Sequence, residues 1–204
     1  MMKQFVIYAM VGSVACMSSL SLANETSSQP IEAASYVKPV LGLGLNFGGD
    51  TIREYEVEYY DGDDGTESVK AGEGIHFFGG VELGYPANDL AFRLQLGYMF
   101  GGIFAENGDV SFDRIPFEAL MFICADKLKF GAGVTHHTNV ELKDDVAGDV
   151  SFDNATGAVI QAEYWFTQRL GLGLRYTNIE YQPEDFEDAD LNGSGGGLYL
   201  TFAF

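Results

Sequence analysis

The chain has 204 residues and carries 30 acidic against 11 basic side chains, a formal charge of −19. That balance excludes a nucleic-acid binder, which needs a basic footprint for the phosphates, and it excludes docking on anionic headgroups through direct basic contacts. With 26 glycines, 14% aromatic residues and 47% hydrophobic residues, the composition suits a chain whose alternate residues face different media. In such a chain, apolar and polar faces cancel in the average.

Lys3 supplies a positive start, residues 5–15 a short apolar run, and Ser21-Leu22-Ala23 a small-x-small cleavage site. The run falls well short of the ~20 apolar residues of a spanning helix, so residues 1–23 are predicted to be a secretory signal peptide. Cleavage there removes Cys16 and leaves Cys124 without an intramolecular partner. Residues 24–36, with Thr26-Ser27-Ser28-Gln29-Pro30, are predicted to form a short periplasmic leader.

From residue 37 onward, strand-period alternation recurs. The first predicted strand is 37–48, with Leu41, Leu43, Leu45 and Phe47 on one face and Gly42, Gly44 and Asn46 on the other. An acidic loop, 50–73, follows. The second strand is 74–85, turned by Pro86-Ala87-Asn88-Asp89 into the third, 90–100. A second loop covers 101–113. The fourth strand, 114–123, holds Pro116, which cannot donate to a ladder and so predicts a bulge or a strand start. A turn at Ala125-Asp126-Lys127 leads to a fifth strand with Leu128, Phe130, Ala132 and Val134 outward, then a third loop over 139–154. The sixth and seventh strands flank Thr167-Gln168-Arg169. A fourth loop, 182–194, precedes the last strand.

That strand ends the chain with apolar residues at every second position: Leu198, Leu200, Phe202 and Phe204. The ending resembles the C-terminal signal of bacterial outer-membrane β-barrels, which the barrel-assembly machinery recognises by a terminal aromatic. Eight alternating segments, three short turns and four longer loops match the smallest usual barrel of that kind. The chain as a whole resembles small outer-membrane barrels of the OmpA and OmpX type. The resemblance implies an all-β, eight-stranded antiparallel up-and-down barrel over residues 37–204, short turns to the periplasm, and outer-membrane lipids and lipopolysaccharide as neighbours. Because the sequence stops at Phe204, no peptidoglycan-binding domain is expected after it.

On the opposite, inward face the strands carry charges of alternating sign: Glu82, Arg93, Glu118, Lys129, Glu163 and Arg175. Lone buried charges cost several kcal/mol each, so the alternation predicts an ion-pair ladder. Glu82 and Arg93 are nearly symmetric about the Pro86 turn and should be cross-strand neighbours. His76, Gln95, Gln161, Trp165 and Tyr199 add bulk to the same face. A lumen filled in this way leaves little room for substrate or for conduction.

Gly42-x-Gly44-x-x-x-Gly48 lacks nucleotide-loop spacing and opens no helix. No cofactor is expected. Asp61, Asp63, Asp64 and Glu67 sit in a run that resembles part of a calcium loop without its full pattern. A looser expectation is that these acids, with Glu184, Asp185, Glu187, Asp188 and Asp190, share divalent cations with phosphorylated lipids. His136-His137-Thr138-Asn139 resembles the His-x-Ser-Asn pattern of outer-membrane lipid A deacylases, which are also eight-stranded barrels. Thr138 replaces the serine, and Glu141 or a loop Asp would have to serve as the acid. The favoured expectation is a non-enzymatic barrel serving envelope integrity or surface interaction. The alternatives are a lipid A-modifying hydrolase using His136 and Thr138, or a conduit for small hydrophobic molecules.

Overall fold

In a computed structural model of the chain, the described residues are 35–58, 64–105, 108–145, 147–184 and 190–204. The segments expected to be a signal peptide and a leader fall almost wholly outside them. The barrel strands are β1 (Tyr36–Gly48), β2 (Gly74–Tyr85), β3 (Leu90–Ala105), β4 (Gly108–Ala125), β5 (Leu128–Asp144), β6 (Ala155–Trp165), β7 (Leu170–Asn178) and β8 (Gly195–Ala203). Each pairs antiparallel with its sequence neighbour, and β1 pairs with β8 from Val40↔Ala203 to Gly48↔Gly195. The sheet therefore closes into an eight-stranded up-and-down barrel with no free edge. Hydrocarbon demands this, since an unpaired backbone group has no water to turn to.

Alternation sorts the side chains. Leu94, Leu96, Phe117, Phe130, Ile160 and Leu174 are each more than half exposed on the outer wall, which makes the wall an apolar belt. The inner wall buries Glu82, Arg93, Glu118, Glu163 and Arg175. Inward aromatic rings lie opposite glycines in register: Tyr36↔Gly84, Phe78↔Gly42, Tyr199↔Gly44, Phe122↔Gly131 and Trp165↔Gly171. A Cβ built on Gly42 would overlap the Phe78 ring. These glycines are the seats of the rings that fill the lumen.

The short turns match the sequence. Pro86–Asn88 is a single 3-10 turn closed by Asp89 at φ 52°. The Thr167 hydroxyl accepts from the backbone N–H of Arg169 and of Leu170 at 3.1 and 3.0 Å.

The opposite end departs from expectation, because most of what was expected to be loop is strand. Within 50–73, Thr51–Glu58 pairs with Asp64–Lys70 as a β-hairpin. The second loop is largely taken up by β3 and β4, whose ladder extends to Ala105↔Gly108. β5 runs on to Asp144 and pairs with Val150–Phe152. Glu180–Tyr181 pairs with Leu191–Asn192. Polar residues obscure this pairing in the sequence, since a strand clear of the membrane needs no continuous apolar face.

The inner faces of these extensions form a second, apolar core. Val69, Ile103, Phe112, Leu142, Phe152 and Tyr181 are among its buried members. A bulge makes this possible. The β4–β5 register slips between Asp113 and Ile115, and Asn139 takes φ 51°, a left-handed conformation that asparagine tolerates better than most residues. Before it, Thr135 and His137 point inward; after it, Val140, Leu142 and Asp144 do. The extra residue shifts the parity of β5 and turns its apolar positions into the cap.

Gly42→Val should therefore unseat Phe78 without touching any charge. The expected cost is about 1–3 kcal/mol of overpacking, read from urea unfolding of the detergent-folded barrel; an unchanged midpoint would mean that the ring does not depend on this glycine.

Candidate functional site

The lumen is the site that the fold builds with most care. Arg93, fully buried, is its clamp: Nη2 donates to Glu82 Oε2 at 2.7 Å and Nη1 to Glu163 Oε1 at 2.6 Å. Glu82 stands opposite Arg93 in the β2–β3 register. Lys129 Nζ reaches the other Glu82 oxygen at 2.5 Å and lies 4.4 Å from the centre of the Trp165 ring. Tyr36 donates to Glu82 at 3.2 Å, Trp165 Nε1 to Glu163 at 3.0 Å and Gln161 to Glu163 at 2.6 Å. Further along the lumen, Arg175 pairs with Glu118, whose other oxygen accepts from Gln95. All six residues of the expected ladder thus carry ion pairs. The pairing is not a simple chain, however, because Arg93 holds a carboxylate on each side.

Arg114 was missed. The predicted fourth strand began at that residue, so it was not read as lumen-facing. It is fully buried on β4, donates to the Glu73 carbonyl at 2.6 Å, and stacks on the Phe112 ring at 4.5 Å. The one available signal was its even spacing from Glu118 on the same strand.

The catalytic candidates are not brought together as the motif suggested. His136 and Thr138 both face the outer wall, half-buried. The Thr138 hydroxyl donates to the Ile115 carbonyl at 3.4 Å. The hydroxyl beside His136 belongs instead to Thr156, 2.9 Å from Nδ1 and directly across the β5–β6 ladder. Glu141 lies beyond the bulge, where Lys143 approaches it at 3.6 Å. His137, the neighbour in the motif, points inward to the Tyr181 hydroxyl at 2.7 Å.

Of the calcium-loop candidates, Asp61 and Asp63 lie outside the described residues, as do loop acids 185–189. Asp64 and Glu67 occupy the second strand of the hairpin, Glu67 opposite Tyr55. Among the described residues, no cluster of three or more His, Cys, Asp or Glu side chains is arranged to hold a metal. The hairpin docks through Arg53 and Tyr55, which donate to Asp144 at 2.7 and 2.5 Å. Burial, and the Asp144 carboxylate that accepts its proton, push the Tyr55 phenol up to about 12.

At the chain end, Phe204 donates its N–H to the Pro39 carbonyl at 3.1 Å and exposes its ring on the outside of the barrel. Phe202 is exposed beside it, while Leu200 is half-buried between Leu43 and Leu172.

A closed eight-stranded ladder, an apolar outer belt, a charged lumen and short turns beside the start of β1 and the end of β8 define a small transmembrane β-barrel of the bacterial outer membrane. No protein-family model matches the chain, and no curated protein matches its sequence. Among solved structures it is similar to Ail, the attachment invasion locus protein of Yersinia pestis, solved in complex with the heparin analogue sucrose octasulfate. Identity there is 12% over 82% of this chain and 97% of that one, with a TM-score of 0.45. Neisserial surface protein A gives 14% identity over 82% and 98%, with a TM-score of 0.43. The N-terminal barrel of Pseudomonas aeruginosa OprF gives 15% over 82% and 97%, with a TM-score of 0.32. At such identities the likeness concerns architecture alone.

Arg93→Leu should cost about 3–5 kcal/mol, since it leaves Glu82 and Glu163 buried without their shared cation. The exchange Glu82→Arg with Arg93→Glu should recover only a minor part, because the new acid then faces Glu163 and the new arginine faces Lys129. A double-mutant cycle on urea unfolding measures this; full recovery would mean that the Glu163 contact contributes nothing.

Proposed function

We propose that the protein is a non-catalytic, non-conducting barrel that holds ordered acidic β-hairpins at the cell surface, where they serve envelope integrity or surface interaction. The observation that carries this reading is the apolar core above the lumen, built from Val69, Phe112, Leu142, Phe152 and Tyr181. Such a core would block a pore, and it gives the surface hairpins a rigid base. The rim is stitched across strands as well: Asp50 donates its N–H to the Asn192 carbonyl at 2.7 Å and accepts from the Ala71 N–H at 2.9 Å. Ordered hairpins suit recognition, because less conformational entropy is lost when a partner binds.

The partners that the chemistry favours are divalent cations shared with phosphorylated outer-leaflet lipids, through carboxylates that remain solvated. The barrel-assembly machinery is the proposed reader of Phe204, Phe202 and Leu200. Replacing Phe204 with Asp should lower the outer-membrane level of the protein, measured by immunoblot of membrane fractions; unchanged levels would remove that role.

The hydrolase reading retains one observation in its favour, the 2.9 Å contact between His136 and Thr156 on the lipid-facing wall. Nucleophilic catalysis also needs an acid to orient the histidine, and Glu141 lies beyond the bulge. Mass spectrometry of lipid A from cells with and without the protein should show no loss of an acyl chain. A loss abolished by His136→Ala would establish the hydrolase and overturn the proposal. Single-channel recordings of the reconstituted barrel should likewise stay at baseline, and steady ionic conductance would show that the cap does not seal.

A further inference from the structure

We infer that the lumen holds one small monovalent anion of chloride size between Arg114 and Arg175, beneath the apolar cap. Three observations meet there. The first is charge. Inside the barrel Glu82, Glu118 and Glu163 stand against Arg93, Arg114, Lys129 and Arg175, with Lys38 at the open mouth over the Tyr36 ring, and of the fully buried charges every one except Arg114 makes an ion pair. The carboxylate next to Arg114 in sequence, Asp113, is held by Lys143 at 2.9 Å. A fully buried guanidinium is left with a backbone carbonyl and aromatic faces as its company.

The second is unspent donors. Nε and Nη1 of Arg114, and Nε and Nη1 of Arg175, are buried with no hydrogen-bond partner among the described residues. Buried polar groups are nearly always satisfied, and each exception calls for an occupant. The unpartnered guanidinium nitrogens here are donors only, so the occupant must accept from both side chains. The Glu118 carboxylate is already taken by Arg175 and Gln95.

The third is space. The two arginines line one internal cavity of ≈20 Å³, together with His76, His137, Tyr181 and Tyr199. A water needs roughly 10–15 Å³, so a single halide ion fits and a larger anion such as gluconate does not. His76 Nδ1 is engaged with the Tyr199 hydroxyl at 3.2 Å, and that hydroxyl donates to Asn46 at 2.6 Å. A water would satisfy the donors but leave the charge uncompensated in a low-dielectric space; an anion does both.

The test uses the full-length barrel refolded in detergent. Urea unfolding is followed in chloride, bromide or gluconate at equal ionic strength, so that screening is held constant. For a site filled only in the folded state, each tenfold rise in halide above its dissociation constant raises the folding equilibrium constant about tenfold. Wild type should therefore gain in both halides over gluconate. Arg114→Met, which removes the excess charge, should lose that difference whatever its own stability. Crystals grown in bromide provide a reading that does not depend on the variant folding. An anomalous peak within hydrogen-bond distance of Arg114 and Arg175 establishes the site. Ordered water alone in that cavity, or a wild type whose midpoint ignores halide, overturns it.

Discussion

Backbone pairing in a medium without water is the constraint on which this structure depends. The ladder between β1 and β8 ties the two ends of the barrel together from Val40↔Ala203 to Gly48↔Gly195, and with it the sheet presents no open edge strand to lipid. Closure then fixes the rest. A closed sheet has an inside, and with eight strands that inside is only wide enough for side chains. What fills it must be dense, and where it is polar it must be internally satisfied. The pairing of rings with glycines answers the first demand, and the Arg93 clamp answers the second.

The ends of the molecule show what changes once water returns. At the end with the short turns the strands stop at once, in turns of a few residues whose caps are local. At the opposite end the strands continue, because their extensions find a second source of burial in the apolar cap. The two regions need opposite side-chain patterns from one continuous strand. β5 resolves the conflict with the extra residue at Asn139. The lipid-facing parity of Val134 and His136 gives way to the cap-facing parity of Val140 and Leu142.

Much of this was legible in the sequence, and for a physical reason. Alternation is enforced by the bilayer, so Leu90 to Phe100 and Leu198 to Phe204 declare themselves without any structure. The ladder was legible because a tight turn at Pro86 makes pairing partners symmetric, placing Glu82 opposite Arg93. The cap was not legible. Outside the bilayer nothing enforces a lipid-facing apolar stripe, and in the hairpin Thr51–Glu58 with Asp64–Lys70 polar residues carry the pairing. Thr156 was missed as the neighbour of His136 because cross-strand contacts follow register, while a motif read along the chain sees only Thr138. Arg114 was missed for a related reason: it lies in the reach of β4 that the sequence assigned to the edge of a loop.

The cap and the ladder are also coupled energetically. Phe112, Leu142 and Tyr181 surround the upper lumen with buried apolar groups, which lowers the local dielectric, and there a paired charge is held more strongly and an unpaired one is less tolerable. Arg93, with a carboxylate on each side, gains from that lowering. Arg114 sits at the boundary itself, its guanidinium 4.5 Å from the Phe112 ring and 5.8 Å from the Tyr181 ring, both members of the cap. Its cation–π contacts and its bond to the Glu73 carbonyl compensate part of the desolvation cost. They do not neutralise the charge. The residue that joins the apolar core to the polar lumen is thus also a fully buried cation without an ion pair among the described residues, and its burial turns that mismatch from a surface detail into a structural demand.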